Sequence, residues 1–334
     1  MLSTIMIILA LIVVGALVYL ATLPGSYEIR RSRVVNADPQ TAFDKVRDFN
    51  TWVDWSPWLI HEPTCKLEYS DNSNDIDGWY TWDGQFIGAG KMMHEKFDAP
   101  RRMDQKLEFY RPFKSKADIA FEFEEKDGGT AVTWVMHGEM PFLFRFMIPN
   151  IIKLISKDYD FGLARLAGLM DANSEHPVIG FEEDKEFPAK HVICRPFEGH
   201  LDDMVGVLKE TYPALMQHAM DKNLEITGPP FTAYHKADLK KMVFSIDMSL
   251  PVAEGSDAGE YDSKTLGGGG KYFKTTLKGS YDFMEIAWHE AMGHMQMCKL
   301  KEDKSRSSFE VYENDPNTVG HSNELMTSLY IPVK

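Results

Sequence analysis

Cysteine is scarce in this chain of 334 residues. Cys65, Cys194 and Cys298 are the only three, too few and too scattered for a disulfide framework or a cysteine-based zinc site. Basic charge is scarce too: 36 Lys and Arg face 50 Asp and Glu, a net charge of −14. The deficit runs along the whole chain. Residues 26–175 carry 19 basic and 25 acidic side chains, and residues 176–334 carry 17 and 25. Neither part offers the positive field that a phosphate backbone needs, so nucleic acid is not an expected partner. Cofactor signatures are lacking as well. Gly267–Gly270 precedes Lys271-Tyr272, without the Ser or Thr that a phosphate-binding loop needs after its lysine. His289-Glu290-Ala291-Met292-Gly293-His294 spaces its histidines five apart, where a zinc helix needs four. No cofactor and no metal site are expected. What is present is ordinary for a folded protein: 44% hydrophobic residues, 24 Gly and 17 Pro, enough for two domains of usual size.

The first 26 residues lack charge altogether. Leu2–Leu23 is apolar apart from Ser3, Thr4 and Thr22, and at 1.5 Å per residue it covers the ~30 Å hydrocarbon core of a bilayer. A cleaved signal peptide would want a basic stretch before the apolar run, and none is there. The segment therefore reads as a single-pass anchor meeting the lipid bilayer through residues 2–23. Arg30, Arg31 and Arg33 follow it, which places the bulk of the chain on the cytoplasmic side.

Residues 26–175 have a strand, short helices, a series of strands and a long helix. Tyr27–Asn36 is strand-like. Asp38-Pro39 opens a helix over Gln40–Asp48, with Asp38 as N-cap and Pro39 at the first position. From Cys65 to Gly138, alternating runs are split by Asp77-Gly78, Asp83-Gly84 and Asp127-Gly128-Gly129. Phe144–Met170 is helical by period, with a kink expected at Pro149. Between the first helix and the strands lies Asn50-x-Trp52-x-x-Trp55-Ser-Pro-Trp58, preceded by Asn-Ala-Asp-Pro and a Phe. This run resembles the SRPBCC superfamily, the START and polyketide-cyclase-like helix-grip fold. The resemblance implies a hydrophobic ligand held between a curved sheet and the long helix. Trp79 and Trp82 are the candidate lining residues, with core packing as the alternative.

A polar run, Glu182–Glu186, reads as part of a linker over 176–187. Beyond it the chain repeats itself. Gly199, Phe231-Thr232-Ala233-Tyr234 and Pro251 match Gly279, Phe309-Glu310-Val311-Tyr312 and Pro332 in order. Each copy is a strand–helix–strand–strand unit, and the two pair into one antiparallel sheet with both helices on one face. Leu201, Met204, Leu208 and Leu215 form one helix stripe, and Tyr281, Met284, Trp288 and Met295 the other. Ala253–Lys271 is a Gly-rich insertion between the copies. Side chains at i and i+2 share a strand face. Placing Phe309, Val311, Leu329, Ile331 and Val333 toward the helices puts Glu310, Tyr312, Thr232, Tyr234, Asp247 and Tyr330 together on the other face. Glu310 stands where its counterpart is Thr232, so one carboxylate breaks the repeat.

The specific pieces, Lys278-Gly279-Ser280-Tyr281, Phe309-Glu310-Val311-Tyr312-x-x-Asp315-Pro316 and Tyr330-Ile331-Pro332-Val333, resemble the GyrI-like family. These are the effector-binding domains of AraC- and MerR-type regulators. The resemblance implies that Glu310 sits in an aromatic pocket for lipophilic cations, and some stand-alone members hydrolyse small molecules with that acid. The whole chain thus reads as α+β: an anchor (1–25), a helix-grip domain (26–175), the linker, and a GyrI-like domain (188–334). The leading function is a membrane-anchored sensor, carrier or sequestering protein for a small hydrophobic or cationic ligand. One alternative is a hydrolase with Glu310 as general acid/base and Tyr312 or Tyr330 polarising the leaving group. Another is a membrane scaffold for a protein partner that the sequence does not identify.

Overall fold

The computed structural model describes residues 2–334, which form two compact units dividing between His176 and Pro177. In the first unit, helix α1 (Leu2–Thr22) leads into strand β1 (Ser26–Val35) and helix α2 (Pro39–Arg47). Asp38 caps α2, its Oδ1 accepting from the backbone N–H groups of Gln40 and Thr41 at 3.0 and 3.1 Å. A 3-10 turn over Phe49–Asp54 and the short helix α3 (Pro57–His61) carry the tryptophan run. Six strands follow: β2 (Lys66–Tyr69), β3 (Trp79–Asp83), β4 (Ala89–Asp98), β5 (Arg102–Arg111), β6 (Ser115–Lys126) and β7 (Gly129–Glu139). Helix α4 (Ile148–Met170) closes the unit. The sheet is antiparallel with order β1-β7-β6-β5-β4-β3-β2. Asp127 and Gly128 turn β6 into β7, both at positive φ (53° and 79°), the geometry that a tight hairpin with right-handed strand twist demands.

Helix α4 buries Tyr159, Leu163 and Leu166, at three- to four-residue spacing, in a core with Phe43, Phe49, Trp52, Trp55, Phe121 and Trp134. Pro149 falls in the first turn of α4, and a 3-10 turn over Phe142–Met147 precedes it. It therefore starts the helix instead of kinking it, because its missing N–H would have been unpaired there anyway. Arg30, Arg31 and Arg33 lie on β1 and pair with Glu122, Asp160 and Glu175. These pairs tie β1 to β6, to α4 and to the residues just after it.

The second unit contains β8 (Val178–Lys185), β9 (Lys190–His200), α5 (Leu201–Asp221), β10 (Phe231–Asp238), β11 (Val243–Pro251), β12 (Asp262–Leu266), β13 (Tyr272–Lys278), α6 (Met284–Met297), β14 (Ser308–Tyr312) and β15 (Met326–Pro332). Its sheet has the order β12-β9-β11-β10-β14-β15-β13-β8. The copies β9-α5-β10-β11 and β13-α6-β14-β15 meet where β10 pairs with β14, with Thr232 directly opposite Glu310. The repeat-breaking carboxylate thus lies on the seam of the pseudo-symmetric sheet.

Two expectations need correction. The segment assigned as a linker is mostly strand β8, paired with β13. Part of the Gly-rich insertion is strand β12, paired with β9. Both are edge strands, and edge strands carry charge to discourage further pairing. The charges of Glu182–Lys185 and Asp262–Lys264 therefore resembled solvated connectors.

Candidate functional site

Glu310 is 6% exposed at the centre of the second sheet. Its Oε2 accepts from Trp288 Nε1 of α6 at 2.9 Å and from the Tyr234 hydroxyl at 3.2 Å. Its Oε1 accepts from the Tyr312 hydroxyl at 2.8 Å. Thr232 Oγ1 lies 2.8 Å from the Tyr212 hydroxyl of α5 and 3.0 Å from that of Tyr312. The rings of Tyr212 and Tyr281 stand edge-on to Tyr312, with centroids 5.2 and 5.8 Å away. Trp288 meets Tyr234 at 5.4 Å. The cluster is thus built from both central strands and both helices. Tyr281, Tyr312 and Trp288 leave it partly open to solvent.

This placement reverses the expected facing. Glu310, Tyr312, Thr232 and Tyr234 point toward the helices, whereas Phe309 and Val311 point away. Alternation along β14 remains; what failed was the assumption that only one face is apolar. The outer face has its own cover in Phe187, which is stacked on Phe309 with centroids 4.0 Å apart. Both faces of β14 are buried, and in such a strand polarity no longer says which way is in.

The predicted set therefore splits. Register puts Tyr330 opposite Phe309 and Asp247 opposite Ala233, so both lie on the outer face away from Glu310. Tyr330 packs on Phe187 (5.1 Å), with the Lys274 ammonium 5.6 Å from its ring. Asp247 is 3% exposed, and its Oδ2 accepts from His235 Nε2 at 2.8 Å and Lys264 Nζ at 3.0 Å. Burial pushes Asp247 up, but these two partners outweigh it and hold it below the usual carboxylate value. His235 reaches it from a β-bulge between Tyr234 and Lys236, and its Nδ1 meets Ser307 Oγ at 2.8 Å.

The electrostatics of Glu310 are the opposite of those at Asp247. Burial pushes its carboxyl above the ordinary value of 4.5, while Trp288, Tyr312 and Tyr234 pull it part of the way back. Burial, followed by the nearby Glu310 charge, holds the hydroxyls of Tyr234 and Tyr312 well above the usual phenol value. They are neutral donors throughout the physiological range. A carboxylate held by neutral donors among ring faces suits an organic cation, and its raised pKa also suits proton transfer.

In the first unit, Trp79 and Trp82 do not act together. Trp82 is 8% exposed in the core with Tyr80 and Phe109, whereas Trp79 lies on the opposite face under the Lys91 ammonium at 4.9 Å. Three residues apart on a strand, they had to diverge. Deeper in that core, Tyr159 stacks on Trp134 at 3.9 Å, and Trp55 lies 5.5 Å from Trp134. Among the described residues, Trp55 Nε1, Trp134 Nε1 and the Tyr159 hydroxyl have no hydrogen-bond partner.

Trp288, Tyr212 and Tyr281 complete the Glu310 cluster and were not among the expected site residues. Trp288 and Tyr281 had been assigned to a core stripe. Their polar ring tips, in a stripe otherwise made of methionine, were the available signal. Tyr212 continues the Leu208–Leu215 stripe of α5 and carried the same signal.

A sheet gripped by a long helix, followed by a pseudo-symmetric sheet with a buried carboxylate under two helices, defines a chain of two small-molecule-binding folds. Residues 26–171 match the family model described as polyketide cyclase / dehydrase and lipid transport, and residues 183–334 match that of the GyrI-like small molecule binding domain. No curated protein matches the chain. Among solved structures, the EcmrR C-terminal domain is similar at 20% identity, covering 47% of this chain and 98% of that one with a TM-score of 0.39. Protein MLL2253 from Mesorhizobium loti is similar at 10% identity, covering 44% and 98% with a TM-score of 0.35. The Aha1 dimer from Colwellia psychrerythraea is similar at 12%, covering 43% and 96% with a TM-score of 0.33.

Proposed function

We propose that this chain is a membrane-anchored binding protein whose second unit takes a small lipophilic cation against Glu310. The observation that carries the reading is the buried carboxylate whose hydrogen-bond donors among the described residues are all neutral: an indole N–H and two tyrosine hydroxyls. A buried anion without a cation of its own is costly, and a ligand cation among tyrosine and tryptophan faces offsets that cost. Anchoring rests on α1, which is long and apolar enough to cross a membrane, as a signal sequence also is.

The test uses the full chain in detergent, with a lipophilic quaternary ammonium and its neutral carbon isostere as probes. At ~100 times its dissociation constant, the cation should stabilise the protein by about 2.7 kcal/mol. The isostere should do much less, and Glu310→Gln should erase the difference. Equal stabilisation by both probes, or a cation effect that survives the substitution, would sink the reading.

The raised carboxyl with Tyr312 at 2.8 Å also favours a second reading, hydrolysis of a reactive lipophilic compound with Glu310 activating water. Under that reading Glu310→Gln abolishes turnover while the affinity for the neutral isostere is kept.

A further inference from the structure

The 3-10 turn over Phe142–Met147 buries none of its residues. Leu143, Phe144 and Phe146 are 59%, 49% and 55% exposed, and Phe142 and Met147 of the same turn and Leu154 on α4 are exposed as well. Single exposed apolar residues are ordinary, but a consecutive run of this size marks a contact surface.

Two observations identify what covers it. The first is its place. The segment is fastened to the end of α1: Arg145 Nη1 donates to the Leu23 carbonyl at 3.3 Å, and the Met140 N–H donates to the Gly25 carbonyl at 2.8 Å. Only Leu23, Pro24 and Gly25 separate α1 from β1, so the patch sits at the level where an anchoring helix leaves the hydrocarbon. The second is its charge. Between Glu139 and Asp158 the sequence carries Arg145, Lys153 and Lys157 and no acidic residue, in a chain of net charge −14. Bulky apolar residues interspersed with cations suit the headgroup–acyl boundary of an anionic membrane. An acidic protein surface would match the cations alone and leave the phenylalanines exposed.

We propose that Phe142–Met147 is a second membrane contact, seated in the bilayer interface beside α1 and holding the start of α4 against the lipid surface. It rests on the reading of α1 as an anchor. The run would then fix the orientation of the first unit on the membrane, which a single flexible attachment does not do. It would also place the α4 end of the helix-grip core next to a lipid reservoir.

The experiment labels three positions, one at a time, with an environment-sensitive nitrobenzoxadiazole dye. The full chain carries Cys65→Ser and Cys298→Ser and is reconstituted in vesicles containing phosphatidylglycerol. Phe144→Cys reports the patch, Ala16→Cys reports α1, and Asp127→Cys is the control. The β1–β7 register sets Ser26 opposite Glu139 and Val35 opposite Thr130, so Asp127 lies at the far end of the strands, roughly 30 Å away. Lipid-borne quenchers should reduce the dye signal at positions 144 and 16 by about twofold or more and leave position 127 unchanged. Quenching at 16 without quenching at 144 would overturn the second contact and leave the anchor standing, with a protein partner then covering the patch. Absence of quenching at both would remove the anchor and the inference together.

Discussion

Glu310 has three donors on its two oxygens and is still destabilised as an anion, because the donors are neutral and the surroundings are not water. Its native pKa lies above the ordinary 4.5, so the folded protein holds this proton to a higher pH than the unfolded chain. Between the two values the native state binds more protons, and stability falls as pH rises through that window. Glu310→Gln keeps an oxygen for Trp288 and Tyr234 and removes the charge. The ligand-free variant should therefore be more stable at neutral pH, with a flatter dependence of stability on pH above 4.5. Urea denaturation across that range measures it. A variant less stable than the parent at pH 7 would mean that the carboxylate is better solvated than its burial indicates. Gain of stability with loss of cation binding is the usual mark of a group kept for binding.

At the scale of elements, alternation was reliable and the choice of face was not. Strand positions other than β8 and β12, both helices of the second unit, the Asp38 cap and the Asp127-Gly128 hairpin could be read from local chemistry, because caps and turns depend on a few adjacent residues. Which side of β14 meets the helices depends on Phe187, a residue 122 positions before Phe309 in a segment that looked like a connector. Thus Glu310 was identifiable as the residue that breaks the repeat, while its companions Trp288, Tyr212 and Tyr281 needed the third dimension. Tyr330 and Asp247 were assigned to it through a facing that Phe187 overturns. The same contact sets an energy. Phe187 is 4% exposed and meets Phe231, Tyr272, Phe309 and Tyr330. Phe187→Ala should cost about 3–5 kcal/mol of the second unit's stability. A loss under 1 kcal/mol, measured by denaturant midpoint, would show that the outer face is not part of that unit's core.

At the scale of the molecule, each unit closes its own core: the aromatic cluster under α4 in the first, and the two faces of the eight-stranded sheet in the second. The division between His176 and Pro177 falls outside both sheets, so a cut there breaks no strand pairing. Sheets that are complete on either side of a boundary fold as separate cooperative bodies. Calorimetry of the full chain in detergent should therefore show two transitions. A fragment beginning at Pro177 should melt at the temperature of one of them, and a lipophilic cation should raise that transition while leaving the other in place. The Glu310 cluster draws every member from β10, β14, α5, α6 and the turn before α6, all within the second unit, so its binding energy is available only to that unit's unfolding equilibrium. A single transition, or a cation that raises both together, would contradict this division and would require the two units to be linked in stability.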